Sequence, residues 1–324
     1  MKVKCLFILM TLWLFLPAAA HAQEQPDARW LRRSQESGHT PLRRTVYALL
    51  AKVKLLRDDD GRERGYYQMN DALLALARMG VDVLPVLAEA LGDRTPTRAF
   101  HHDKQDRPTQ PLLVNEAVAR LIVQVAQHDF VIGEYPRKRL VRDVALFPEL
   151  TPQFQKKIVA WWITNRDKTP VQRKIADLND GWFRNRLDAL EWLGRHKTVA
   201  GKNAVVRSIN ATLAREKPGT LTDNELAESA LALGRIGDRS ALPAVRRVRD
   251  RLLQYAEGPK NGSGYFLDYI APSRLFLAYQ GLALLGEKPR ALRDLRQLYV
   301  RRAAAMRPST RHDYERNLKA AALW

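Results

Sequence analysis

Glu225-Leu-Ala-Glu-Ser-Ala-Leu-Ala-Leu-Gly-Arg-Ile-Gly237, followed by Asp238-Arg-Ser-Ala-Leu-Pro-Ala-Val-Arg-Arg-Val248, is the stretch on which the fold turns. Its first part is an Ala/Leu-rich run with apolar residues at helical spacing, closed by glycine. Its second part opens on Asp and Leu-Pro and becomes helical again. Gly237 suits the left-handed residue that ends a helix, where a side chain would clash. Asp238 stands near the next helix start, where a carboxylate can accept backbone N–H bonds and meet the positive end of the dipole. Pro243 falls in the first turn, where its missing N–H costs little. Small residues such as Ala227 and Ala230 let neighbouring helices approach closely. The unit is a helix pair with one apolar face too many, so it must stack on another pair.

Working outward, the same grammar recurs. Asp71-Ala-Leu-Leu-Ala-Leu-Ala-Arg-Met-Gly80 precedes Val81-Asp-Val-Leu-Pro-Val-Leu-Ala-Glu-Ala-Leu91, with Gly80, Asp82, Pro85, Ala72 and Ala75 in the matching roles. Looser copies run through Leu187–Gly194 with Val199–Leu213, and through Ser273–Gly286 with Pro289–Tyr299. Asn115–Ala126 and Phe154–Trp162 read as first helices that lack the glycine. Gly194, Gly237 and Gly286 stand 43 and 49 residues apart, close to the period of helix-pair solenoids. Runs of alternating β-branched residues are missing, so the pattern predicts no sheet. The polar stretches Arg94–Pro111 and Glu257–Ile270 read as long inter-helix loops, of the kind that carries specificity in solenoids or merely fills space.

The string Ala230–Pro243 resembles the HEAT-like repeats of phycobilisome lyases, and Asp71–Leu91 does so less closely. That resemblance implies an all-α chain: a right-handed α-solenoid of about five to six helix pairs whose second helices line the concave side. It implies no lyase activity, and no residues suited to holding a bilin stand in this sequence.

The chain ends frame this core. Lys2 and Lys4, the apolar run Cys5–Leu16, Pro17 and Ala20-His-Ala22 read as a secretory signal peptide cleaved after Ala22. The run is shorter than the roughly 20 residues that span a bilayer as a helix. A periplasmic or secreted protein is expected, with a polar leader over 23–40, repeats over 41–305 and a C-terminal helix within 306–324. Cys5 is the only cysteine and would leave with the signal. Disulfides, thiolate metal ligands and cysteine nucleophiles are thereby set aside for the mature chain. About 300 residues suffice to bury a core without staples.

Net charge is +19, or +17 without Lys2 and Lys4. A basic surface of this size attracts polyanions, although arginine also serves as a plain helix-favouring surface residue. Arg246, Arg247, Arg249 and Arg251 crowd one second helix, and Arg293, Arg296, Arg301 and Arg302 another. On a solenoid these would form a positive groove, and the expected partner is an acidic protein or an anionic envelope polymer. An exported chain seldom meets DNA, which sets nucleic acid aside. A solvated helix face is the plainer explanation of the same arginines.

Catalytic motifs are not found: the sequence has no Gly-x-Ser-x-Gly and no phosphate-binding glycine loop. Asp188 and Glu191 share a helix face among arginines and read as surface charge partners. His101, His102 and Asp103, with His128 further on, form the one group with metal-ligand chemistry, but adjacent histidines diverge and nothing completes a shell. Asp58-Asp-Asp-Gly61 lacks the ligand alternation of a calcium loop. No cofactor is expected. Trp161 and Trp162, neighbours on one helix, cannot face the same core, so one should pack and the other lie partly exposed. With Trp182 and Trp192 they read chiefly as core residues, and otherwise as a stacking surface. A binding scaffold is therefore the leading reading. An envelope-polymer hydrolase or lyase and a structural spacer are the alternatives.

Overall fold

Helix-forming periodicity dominates the chain, and the computed structural model, which describes residues 40–52, 71–102, 108–133, 137–215, 222–257, 274–302 and 308–322, is correspondingly mostly helical. It divides into two compact units, 1–166 and 167–324, each with its own hydrophobic core. The signal peptide, most of the leader, Asp58–Gly61, Asp103 and nearly all of the Gly-rich stretch lie outside the described residues.

In the first unit, α1 (Pro41–Lys52) opens on the expected proline and α2 (Asp71–Arg78) follows. Gly80, at φ +72, turns the chain into a 3-10 turn (Gly80–Val83) and α3 (Leu84–Ala90). Gly80 and Pro85 thus play their expected parts. Asp82 does not: it lies inside the 3-10 turn, whose start has no side-chain cap. Leu84, Val86, Leu87, Ala88 and Ala90 are all buried, so α3 is apolar on nearly every side. Such a helix must be surrounded. It is, by α4 (Val114–Ala126) and α6 (Thr151–Asn165). Phe130, Phe154, Leu121 and Ile122 complete the core.

Between α3 and α4 the expected long loop is instead a β-hairpin. Strand β1 (Pro96–His102) pairs antiparallel with β2 (Pro108–Leu113), with a register shift on either side of Phe100–His101. Its base is tied by buried Asp93, whose Oδ1 accepts from Thr95 N at 2.8 Å and Thr95 Oγ1 at 2.5 Å. Asn115 N then donates to Asp93 O at 2.9 Å. A second, two-residue ladder joins β3 (Val131–Ile132) to β4 (Lys138–Arg139) ahead of the short α5 (Leu140–Asp143). Neighbouring segments pair here through local backbone bonds, which leave no long alternation in the sequence. That is why no sheet was expected.

The second unit runs α7 (Pro170–Asp177), α8 (Phe183–His196), α9 (Val199–Arg215), α10 (Thr222–Ile236), α11 (Leu242–Glu257), α12 (274–282), α13 (Lys288–Arg302) and α14 (Pro308–Ala322). Within it α8 packs on α10, while α9 packs on both α10 and α11. Glycine sets the closeness of these contacts. A Cβ on Gly194 would stand 3.1 Å from Ala232 Cα, one on Gly234 2.6 Å from Gly281 Cα, and one on Gly281 2.3 Å from Ala230 O. The first helices α8, α10 and α12 therefore meet backbone to backbone.

This changes the reading of the repeat anchors. Gly194 does not end its helix, which continues to His196; the left-handed residue is Lys197, at φ +50. Gly237 (φ +81) and Gly286 (φ +96) are terminators as expected. Two classes of glycine were thus superimposed in the sequence. Gly194 corresponds to Gly234, three residues before the left-handed turn in both repeats, so these two repeats are related by a shift of 40 residues.

Candidate functional site

Second helices α9, α11 and α13 carry the arginines singled out by sequence, and the repeat register sorts them. The 40-residue shift gives Arg207 of α9 the same register position as Arg247 of α11. Arg247 stands four residues after Pro243, and Arg293 stands four after Pro289, which holds the same place in α13. All three are exposed. By the same register Arg249 corresponds to Ile209 and Leu295, both buried core residues. Arg246 corresponds to Val206 and Leu292, which pack against the core. A helix that looks uniformly basic in sequence therefore has arginines of two kinds.

Those on core columns are held by carboxylates. Arg249 is 9% exposed; its Nε donates to Asp250 Oδ1 at 2.8 Å, and its Nη1 lies 3.8 Å from Asp294 Oδ2. Arg246 pairs with Glu287 at the start of the next second helix, with Nε to Oε2 at 3.4 Å. That hydrogen bond raises the guanidinium's pKa above its ordinary value and lowers the carboxyl's. A buried guanidinium needs such partners because desolvation of an isolated charge costs more than any packing gain. Arg246 and Arg249 thus bridge neighbouring helices, with 41% and 11% of their side-chain surface left exposed.

Arg247 donates from Nη2 to Asn210 Oδ1 on the neighbouring α9 at 2.8 Å, an exposed link that leaves its charge unneutralised. Arg207, Arg293 and Arg296 are exposed and have no carboxylate within ion-pair distance among the described residues. Arg251 is half-buried, Arg301 is exposed, and Arg302 is placed by its backbone alone at the end of α13. The sequence does not single out Arg207, because the cations of α9, Lys202, Arg207 and Arg215, stand apart and are not crowded as in α11 and α13. The 40-residue shift would have found it, had Gly194 been matched to Gly234.

The turns beside this face are braced by the same chemistry. Lys202 of α9 donates from Nζ to Asp238 Oδ2 at 2.6 Å and to Ser240 Oγ at 3.0 Å, and Asp238 also accepts from Ser240 N at 2.9 Å. These bonds, that from Lys202 foremost, hold the Asp238 carboxyl down at about 2. Arg239 Nε donates to Leu285 O at 3.2 Å, and its guanidinium lies over Gly286, where a Cβ would be 2.5 Å away. Each turn thereby reaches the next helix pair. On the first-helix side, Arg186 clasps Glu225 with two donors and Asp180 O with a third.

The remaining candidates take ordinary places. Glu191 pairs with Arg195 one turn on. Glu228 of α10 has its pKa raised, first by burial and further by Glu191. Trp192 stacks on exposed His196 with centroids 3.6 Å apart, and the His196 Nδ1 meets Trp192 O at 2.8 Å. Trp182 meets Phe183 edge-on at 4.9 Å. In the first unit, His128 is buried against Phe130 and Trp161, at 5.0 and 5.5 Å. Trp161 and Trp162 both pack partly buried on that core, and Arg166 sits over the Trp162 ring. Asp129 is held by Arg139 at 2.8 Å. His101 and His102 lie on β1, in the hairpin and not in a loop. Among the described residues, no group of three or more His, Cys, Asp or Glu side chains is placed to hold a metal. No described helix is long and apolar enough to cross a membrane.

In comparisons with protein-family models, curated proteins and solved structures, nothing matches this chain.

Proposed function

We propose that this chain is an exported, non-catalytic binding scaffold of HEAT-like helix pairs, wound as a right-handed α-solenoid, which engages an acidic protein or an envelope polyanion through the outward face of its second helices. One observation supports this above the rest: an exposed arginine with no carboxylate at ion-pair distance among the described residues recurs at one register position of three successive second helices, as Arg207, Arg247 and Arg293. The net charge of +17 that remains without Lys2 and Lys4 supplies long-range attraction and speeds encounter with an anionic partner. Export rests on the Lys2–Ala22 signal pattern, and mass measurement of the protein recovered from the envelope fraction tests it.

The binding reading is tested with lipopolysaccharide, a cell-wall polymer and DNA at low and moderate salt. Charge-led binding weakens as salt rises, because bound counterions are released. Arg207→Glu, Arg247→Glu and Arg293→Glu together should abolish binding to the preferred polymer without loss of helical signal. Unchanged binding by that variant overturns the reading. Turnover of purified cell wall would replace it with the enzyme.

A further inference from the structure

We infer that the polyanion is the surface of an anionic phospholipid membrane, met chiefly by the last two helices, α13 and α14. The inference rests on the reading of the basic second helices as the binding face, and adds the partner and where it lands.

The first ground is how charge is distributed within the second unit. Helix α13 exposes Arg290, Arg293, Arg296 and Arg301. Helix α14, which packs on it, exposes Arg311, Arg316 and Lys319. Among the described residues neither helix exposes a carboxylate. Asp294 is half-buried, 3.8 Å from Arg249 Nη1, and Glu315 is half-buried as the acceptor of the Tyr299 hydroxyl. Elsewhere in the unit the signs are mixed: α8 exposes Asp188 and Glu191 along with its arginines, and α11 exposes Asp250 as well as Arg247. Outward positive charge is thus segregated to the last helix pair.

The second ground is the geometry of one helix. An α-helix turns about 100° and rises 1.5 Å per residue, so the four exposed arginines of α13 fall within about 140° of its circumference and about 16 Å of its length. Its other side, with Ala291, Leu295 and Leu298, is buried in the core. Val300 projects between Arg293 and Arg296 and, at 74%, is the most exposed large apolar residue described. At a bilayer surface each part of this row finds a partner. Guanidinium takes a phosphate through paired hydrogen bonds, and an apolar tip among the cations leaves water at the acyl boundary.

The third ground separates a membrane from a soluble polymer. A polymer laid across the second helices needs cations that continue from one helix to the next. On α9 and α11 the outward positions flanking Arg207 and Arg247 are instead Asn203, Asn210, Asp250 and Gln254, neutral or acidic. A membrane needs no such continuation and no groove, because its surface potential acts on every Lys or Arg within a Debye length.

The test measures sedimentation of the full chain with vesicles of phosphatidylglycerol in phosphatidylcholine and with vesicles of phosphatidylcholine alone. Inorganic polyphosphate and polyglutamate serve as soluble polyanions. Two charge-matched variants, Arg290→Gln with Arg296→Gln and Arg207→Gln with Arg247→Gln, are compared with Val300→Ser, each at an exposed position. The parent should bind the anionic vesicles and not the neutral ones. The α13 double should weaken this by about thirtyfold, the equivalent of about 1 kcal/mol for each guanidinium lost near the surface. The Arg207 and Arg247 double should leave it within about threefold, the loss of longer-range attraction alone. Val300→Ser should weaken vesicle binding severalfold and leave polyphosphate binding unchanged. Equal loss from the two doubles overturns the placement on the last helices while leaving the face in place. Tighter binding of polyphosphate or polyglutamate than of vesicles, with Val300→Ser without effect, overturns the membrane. Indifference of every ligand to both doubles overturns the inference and the proposed function together.

Discussion

A methyl group at Gly281 would meet Ala230 O at 2.3 Å and the carbonyl carbon at 2.8 Å, both backbone atoms that cannot swing aside. Gly281→Ala should therefore force α10 and α12 apart and cost about 2–3 kcal/mol, the upper range of overpacking. Thermal unfolding would show this as a drop of roughly 2–4 °C per kcal/mol. Gly181→Ala, where a Cβ meets nothing within 4 Å, should leave the midpoint almost unmoved. Arg249 makes the opposite case, since its equivalents in the flanking repeats are Ile209 and Leu295. Its partners Asp250 and Asp294 keep 54% and 32% of their side-chain surface exposed and can hydrate if the guanidinium goes. Arg249→Leu should accordingly be neutral or stabilising by up to about 2 kcal/mol, as when buried ion pairs are replaced by apolar groups. Chemical denaturation measures it, and the same variant should bind polyanions as the parent does. A clear loss of binding would return Arg249 to the contact face.

At the scale of elements, the turn between α10 and α11 is the joint on which three helix pairs meet. Lys202 reaches it from behind and Arg239 reaches forward from it. The Asp238 carboxyl titrates at about 2 in the folded chain, against about 3.9 for an unperturbed Asp. A depressed folded pKa means that the stabilisation is present above the unfolded value and is lost as pH falls through the folded one. Asp238→Asn should lower stability at neutral pH, and the gap to the parent should close between about pH 4 and pH 2. Urea midpoints across that range decide the matter. A gap that persists at the acid end would mean that the carboxylate's charge is not what braces the turn. The hairpin Pro96–Leu113 is held at its base in a related way, by Asp93 accepting from Thr95. Its pairing was illegible because Asp93 and Asn115 meet only once α3 and α4 have packed.

For the molecule as a whole, two separate cores mean two separate responses to damage. Gly281→Ala should lower hydrogen-exchange protection through α10 and α11 and leave α4, in the first unit, as slow as before. Equal loss in both would show that the units unfold as one. The helical class, the grammar of helix, glycine, turn and proline, and the terminators Gly80, Gly237 and Gly286 were all legible in the sequence, because caps and periodicity are local properties of a chain. What α8 does at its end was not, since Lys197 in a left-handed turn leaves no signature as glycine does. Nor could composition divide the arginines. Arg246, Arg247 and Arg249 are near neighbours on one helix, yet one braces a junction, one faces solvent and one fills a core column. That division depends on which residues the adjacent helices set against each of them, and only tertiary packing decides it, because a charge takes its role from its surroundings and not from its type.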